Sequence, residues 1–268
     1  MIEAITAKVN IFLHIRMMKS LLFTVLTLIV SVVHGQVLIH SHNDYERREP
    51  LFNALRHEAF TIEADVYLAG GKLAVAHDKK DIDTSRTLSS LYLDPLDSLF
   101  KQHRGSATQN KSYRPTLAID IKADGPAVLR AIVELVKLKP QVFDRRKNKN
   151  AVQIIISGDR GPIGQWTTYP SFIMFDGRPV EQYDSKTLSR VLTVSDSYAR
   201  YSRNNQLDTA MLVNMIQKAH SKNKLVRIWG APDVPATWML FRRLGIDIIN
   251  TDNVAECRAL FATSPNVQ

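Results

Sequence analysis

His40, His42 and His77 lie close in the chain to the acidic pair Glu63 and Asp65. A histidine of ordinary pKa accepts or releases a proton near neutral pH, so two of them can act as general base and general acid. Neighbouring carboxylates supply the oxygen ligands that Mg²⁺ and Ca²⁺ prefer. The residue types therefore indicate proton transfer on a substrate that a metal ion helps to hold.

The acidic residues alternate with apolar ones along predicted strands. Glu63 and Asp65 stand in TIEADV, so both side chains point to one face of the strand, and Asp120 stands in TLAIDIK. Carboxylates crowded in a barrel interior repel one another, and a divalent cation removes that repulsion. An all-oxygen set favours Mg²⁺ or Ca²⁺ over zinc. Alternatively, one or more of these acids pairs with a buried cation of the chain, for which Lys122 is the obvious candidate.

The elements that must position these side chains follow a repeating pattern. Short apolar runs such as VLIH, KLAVAH, TLAIDIK, AVQIIIS and LVRIW alternate with segments of helical periodicity, giving about eight βα units. That number favours a closed parallel barrel over an open doubly wound sheet, and no G-x-G-x-x-G or Walker-type loop is present. We predict an α/β fold, a single-domain (β/α)₈ TIM-type barrel over residues 36–268.

In such barrels the chemistry lies at the carboxyl ends of the strands. Polar residues occur at those predicted ends throughout the chain. They are His40, His42, His77, Asp120, Lys122, Trp229 and Asp252.

Residues 1–35 have the features of a signal peptide behind a mis-assigned upstream start. Lys19 precedes an apolar run over 21–33, and Val33-His34-Gly35 gives a cleavage site before Gln36. No later stretch approaches the roughly 18 to 20 apolar residues of a transmembrane helix. We therefore expect export to the periplasm or the cell exterior.

The composition limits the partners. The 268 residues carry a formal net charge of +9, which attracts anionic ligands in general. The basic cluster DRRKNKN (144–150) lacks interleaved aromatic residues, so nucleic acid is not an expected partner. Cys257 is the single cysteine, which excludes an intrachain disulfide.

Taken in order, the motifs resemble those of the PLC-like phosphodiesterase superfamily, which includes glycerophosphodiester phosphodiesterases and phosphatidylinositol-specific phospholipases C. The matching features are the histidine after the first strand, IEADV, AHD, AIDIK and GIDIINTDN. HSHNDY and RTLSSLYLDPL are most similar to the altered-inheritance-of-mitochondria protein 6 branch and its bacterial relatives. The resemblance extends over about residues 37–257.

This resemblance implies a metal-dependent phosphoric diester hydrolase and assigns roles to individual residues. Glu63, Asp65 and Asp120 would hold Mg²⁺ or Ca²⁺. His40 and His77 would serve as base and acid, and Lys122 would neutralise the phosphate. Asn43, Trp229 and Asp252 are expected to lie in the substrate site.

Two departures from the family pattern affect these assignments. The HRG motif of the glycerophosphodiesterases is HSH here, and their Pro-Glu-Asn-Thr segment is absent. His40 and His42 therefore compete for the first catalytic position. His40 is favoured because sphingomyelinase D-like enzymes place an asparagine three residues after their catalytic histidine, as Asn43 is here.

The expected substrate is a small phosphodiester or a lipid head group, with no obligate protein partner and with peripheral membrane contact left open. A rival is an amidohydrolase-type metal site, which H-x-H suggests but which needs more histidines than His103 and His220 supply. A second rival is a non-catalytic envelope barrel that binds phosphorylated ligands or glycans.

Overall fold

The computed structural model describes residues 37–204 and 206–263. The predicted signal peptide over 1–35 lies outside the described residues, so its assignment stays a prediction. Within the part described, no helix is both long enough and apolar enough to cross a membrane.

The barrel strands run parallel and the sheet closes on itself. The described strands are β1 (Leu38–Ser41), β2 (Thr61–Ala69), β3 (Lys72–Val75), β4 (Thr116–Ile121), β5 (Gln153–Gly158), β6 (Ile173–Gly177), β7 (Val191–Ser197), β8 (Ser202–Arg203), β9 (Gln206–Leu207), β10 (Leu225–Trp229) and β11 (Ile248–Thr251). The order β1-β11-β10-β7-β6-β5-β4-β2, with β1 also paired to β2, closes an eight-stranded barrel. The predicted (β/α)₈ fold is confirmed.

α-Helices cover the outside of the barrel in most connections between strands, whereas the connection from β5 to β6 contains only the 3-10 helix Ile163–Thr168. The α-helices are α1 (Phe52–Arg56), α2 (Asp94–Gln102), α3 (Gly125–Val136), α4 (Pro140–Phe143), α5 (Ser185–Leu188), α6 (Thr209–His220), α7 (Pro235–Leu244) and α8 (Val254–Thr263). Their lengths are uneven. The connection between β6 and β7 contains only the four-residue helix α5, whereas α3 and α6 each have twelve residues.

The alternation along β2 separates the core from the barrel interior. Ile62, Ala64 and Val66 are fully buried in the apolar core. Glu63 and Asp65 therefore point to the other face, into the barrel. Since β2 and β4 pair in register, Asp65 lies directly beside Asp120.

One strand departs from the sequence prediction. The run KLAVAH, read as a further barrel strand, forms β3, which pairs antiparallel with β2. Gly70 and Gly71 both have positive φ, which suits the tight two-residue turn between these strands. The hairpin carries His77 back along β2 to the level of Asp65, whose carbonyl accepts from the amide of Ala76.

We expect Gly158→Ala to lower the free energy of unfolding by about 2 kcal/mol or more. Gly158 has φ of +68°, and a Cβ there would lie 2.2 Å from the carbonyl oxygen of Ile121 and 3.0 Å from Asp120 Oδ1. Chemical denaturation measures the loss. Gly164→Ala is the matched control because no atom lies within 4 Å of its added Cβ, and equal stability of the two variants would contradict the argument.

Candidate active site

Lys122 joins the carboxylates of β2 and β4. Its Nζ lies 2.7 Å from Asp65 Oδ2 and 2.7 Å from Asp120 Oδ2. Ser157 Oγ donates to Asp120 Oδ1 at 2.6 Å. The ammonium group of Lys122 thus compensates the charge of the crowded acids. This is the pairing with a buried cation of the chain that the sequence raised as the alternative to a metal ion.

Asp65 nevertheless keeps one free acceptor. Its Oδ2 receives Tyr45 Oη at 2.7 Å as well as the contacts of Lys122 and His77, whereas its buried Oδ1 has no hydrogen-bond partner. Within the described residues, no group of three or more His, Cys, Asp or Glu side chains stands at metal-binding distances. The donor chemistry of Asp65 fits a hard cation, although the present arrangement is held by Lys122.

The pKa values in this group reflect competition between burial and charge. Burial and the neighbouring Glu63 charge raise the pKa of Asp65 to about 6, against the opposing effect of Lys122. Burial disfavours the ammonium form of Lys122, but Asp120 and Asp65 outweigh it and raise its pKa. A protonated Lys122 is therefore a fixed feature of the site at neutral pH.

Glu63 is buried and ionised. Burial alone would raise its pKa, but His40, His42 and Arg227 together lower it well below its usual range. The backbone amide of Asn43 donates to Glu63 Oε2 at 3.0 Å. Asn43 adopts the left-handed conformation, with φ of 47°, at the turn where the chain leaves β1.

His40 lies inside the barrel with 1% of its surface exposed. Its Nε2 lies 3.1 Å from Arg227 Nη1, and its Nδ1 lies 2.8 Å from Thr61 Oγ1. Glu63 Oε1 lies 3.5 Å from the same Nε2. Because a guanidinium group can only donate, the shorter contact with Arg227 favours Nε2 as acceptor, with the ring proton on Nδ1. Burial and the charge of Arg227 lower the pKa of His40 to about 4, so the imidazole is neutral.

His42 lies at the mouth of the barrel, and 34% of its side chain is exposed. Its Nδ1 is 2.9 Å from Asp252 Oδ1, while its Nε2 is 3.8 Å from Glu63 Oε2. Arg47 Nη2 also contacts Asp252, at 3.0 Å. Asp252, predicted from sequence to lie in the substrate site, thus orients an imidazole.

His77 mirrors this arrangement on the other side of the carboxylate pair. Its side chain is 55% exposed, and its Nδ1 lies 3.2 Å from Asp65 Oδ2. Tyr45 Oη is within 3.2 Å of the same nitrogen. Each of the two partly exposed histidines therefore has Nδ1 against an aspartate, and Nε2 of His42 faces Glu63.

Three residues that sequence reasoning missed complete the interior: Tyr45, Asp176 and Arg227. Asp176 accepts from Thr193 and Ser195 and contacts both Arg178 and Arg227. Asp176 and Arg227 were visible as polar residues in the apolar runs FIMFDG and LVRIW, whereas Tyr45 stands among polar residues in NDYE and gave no such signal. Trp229, the residue of LVRIW that was predicted to line the site, ends β10 with 40% of its surface exposed.

Residues 29–153 match the model of the AIM6-like phosphodiesterase domain. The family resemblance predicted from the motifs is confirmed. The AIM6-like phosphodiesterase match includes β1, β2 and β4, the strands that carry His40, Glu63, Asp65 and Asp120. Arg227 and Asp252 lie beyond it.

Curated relatives agree with this match. The altered inheritance of mitochondria protein 6 of Lachancea thermotolerans is 29% identical over 81% of this chain and 64% of its own length. The protein of that name from Zygosaccharomyces rouxii is 25% identical over 83% of this chain and 69% of its own. The chain thus spans about 64% of the first relative.

The fold has a counterpart among crystal structures. A glycerophosphodiester phosphodiesterase from Parabacteroides distasonis superposes with a TM-score of 0.55 and 16% identity, covering 86% of this chain and 98% of that one. At this level of identity the likeness concerns the barrel alone.

We expect His40 to be neutral at pH 7 with its proton on Nδ1, and to titrate near pH 4. Nitrogen-15 NMR of the histidine rings measures both. Since its native pKa of about 4 lies below 6.5, the unfolded chain binds this proton first as the pH falls. His40 therefore lowers the free energy of unfolding as the pH falls from 6.5 to 4. Asp65, whose pKa is raised in the folded protein, has the opposite effect as the pH falls. A His40 midpoint above pH 6 would contradict the assigned contacts.

Proposed function

We propose that this chain is a phosphoric diester hydrolase in which His42 and His77 transfer the protons. The observation that carries the proposal is the pair of exposed imidazoles, each held through Nδ1 by an aspartate and each beside one member of the Glu63 and Asp65 pair. The match to the AIM6-like phosphodiesterase domain supports this reaction class.

The sequence favours His40 as the first catalytic histidine, whereas the geometry supports His42. Both ring nitrogens of His40 are engaged inside the barrel, by Thr61 and Arg227. His42 keeps Nε2 near the mouth, and Asp252 stabilises the imidazolium that forms when this nitrogen takes up a proton. In this proposal His40 belongs to the hydrogen-bonded interior of the barrel and does not meet the substrate.

The proposed reaction needs one base and one acid. One histidine takes a proton from water, or from a hydroxyl of the substrate, as that oxygen forms a bond to phosphorus. The bond from phosphorus to the leaving oxygen breaks, and the other histidine donates its proton to that oxygen. An internal hydroxyl nucleophile would give a cyclic phosphate as the first product.

Charge on the phosphate must also be balanced. Two of the three ammonium hydrogens of Lys122 point to Asp65 and Asp120, and the third is available to donate to a phosphate oxygen. We propose that Glu63, Asp65 and Asp120 hold Mg²⁺ or Ca²⁺, with the free Oδ1 of Asp65 as one donor. When bound, the cation would neutralise the non-bridging oxygens of the phosphate.

The substrate and the location of the protein are also proposals. A lipid-derived diester suits the half-exposed Trp229 at the mouth, which offers an apolar surface beside the charged centre. Export to the periplasm or the cell exterior rests on residues 1–35 of the sequence.

We expect His42→Ala and His77→Ala each to lower turnover by about 10²-fold to 10⁴-fold, because each removes a proton-transfer group. Phosphorus NMR of a panel of glycerophosphodiesters, lysophospholipids and sphingomyelin measures the products. His220→Ala is the matched control, since His220 also contacts an aspartate, Asp247, at 2.8 Å outside the site. Ligand binding without turnover by the unmodified protein would favour the non-catalytic barrel.

We expect removal of divalent cations by a chelator to abolish turnover, and added Mg²⁺ or Ca²⁺ to restore it. In calorimetric titrations of the metal alone, Asp65→Asn should weaken binding because it removes a charged oxygen ligand. Glu256→Gln provides an exposed acidic control. Full turnover in the chelated protein would show that Lys122 suffices to balance the charge.

A further inference from the structure

A groove on the outer wall of the barrel follows from the short helix α5. Asp184 caps α5 by accepting from the amide of Thr187, and the helix ends after one turn at Leu188. Arg190 then donates to the carbonyls of Tyr169, Pro170 and Ile173 and directs the chain into β7. One turn of helix cannot cover the wall that a twelve-residue helix covers elsewhere.

The uncovered wall forms an elongated apolar cavity of about 220 Å³ between the β6 to β7 connection and α6. Leu188, Val194 and Met215 form its floor, and exposed Val180 and Met211 form its edges. The volume is below the roughly 300 Å³ at which pockets enclose drug-sized ligands. A single slender chain fits this space better than a ring system or a peptide.

The two ends of the groove differ in charge. At the end near the catalytic face, Arg178 is paired with Asp176 and Arg200 with Asp196. At the opposite end, Lys218, Lys222 and Lys224 also line the groove. Among the residues that the structure describes, none of these three lysines has a carboxylate within 4 Å.

The lysine end of the groove and the candidate catalytic residues lie at opposite edges of the barrel. Lys224 Nζ donates to the carbonyl of Val191, the first residue of β7, at 2.8 Å. Lys218 lies in the last turn of α6 and Lys222 lies two residues past its end, where the helix has returned the chain to the same edge of the barrel. The candidate catalytic residues lie at the other edge, so the lysine end is separate from the diesterase site.

We propose that this groove binds a single-chain anionic amphiphile, with its alkyl chain along Val194 and Met215 and its head group at Lys218, Lys222 and Lys224. Lysine ammonium groups act as point charges and recognise an anion without bidentate geometry. Burying an alkyl chain against the exposed apolar edges supplies the remaining affinity. The proposal is independent of the diesterase reaction.

Calorimetric titration of the full chain with decanoate, below its micelle-forming concentration, tests the proposal. We expect saturable binding at least roughly tenfold tighter than that of decyltrimethylammonium, which has the same chain length and the opposite charge. No saturable binding, or equal affinity for the two amphiphiles, would overturn it.

Variants locate the site. The double variant Lys218→Glu/Lys222→Glu should weaken decanoate binding at least roughly tenfold, whereas Lys149→Glu, an exposed lysine outside the groove, should leave it unchanged. Met211→Trp should block both amphiphiles by filling the groove from its exposed edge. Thermal unfolding confirms that each variant is folded. Unchanged decanoate binding in both groove variants would place the ligand elsewhere and refute the proposal.

Discussion

The buried guanidinium of Arg227 is the charge around which the barrel interior is arranged. It donates to His40 on β1, Asn250 on β11, Ser195 on β7 and Asp176 on β6. A buried charge is tolerated only when its hydrogens are satisfied, and here the partners come from four different strands. Burial would raise the pKa of Asp176, but Arg178 and Arg227 lower it to about 2, so the ion pair persists. The same cation adds to burial in lowering the pKa of His40, and adds to His40 and His42 in lowering the pKa of Glu63.

At the mouth of the barrel, Lys122 compensates the charge of the carboxylates, and it does so differently from Arg227 in the interior. Lys122 is partly exposed and contacts Asp65 and Asp120, whereas Arg227 is enclosed. The flexible stem of a lysine allows its ammonium to shift between a carboxylate and a phosphate, which a guanidinium fixed by four partners does not allow. The barrel therefore combines a rigid polar interior around Arg227 with an adjustable upper layer, formed by Lys122, Asp65 and Asp120. His42 and His77 belong to the upper layer because each has an exposed edge.

Much of this arrangement follows from local sequence pattern. The period of two in TIEADV places Glu63 and Asp65 on one face, and alternation of strand and helix patterns predicts the closed barrel. The sequence does not reveal which of His40 and His42 is buried, because that depends on Arg227, nearly two hundred residues further along the chain. Nor does periodicity distinguish an antiparallel hairpin from a barrel strand, so β3 was assigned wrongly. Lys122 was recognised as a partner for the acids, but the choice between cation and ammonium depends on side-chain positions.

The β2 to β3 hairpin has a consequence for how such a site can change over time. His42 follows a strand that closes the barrel, so any change in its backbone disturbs the pairing of β1 with β2 and β11. His77 instead follows a short ribbon that pairs with β2 and lies outside the closed ring of eight. The β2 to β3 hairpin can change in length or angle without opening the closed ring of eight strands. One member of the histidine pair is thus held by the closed ring of strands, while the other lies on a hairpin whose length and angle can change independently of that ring.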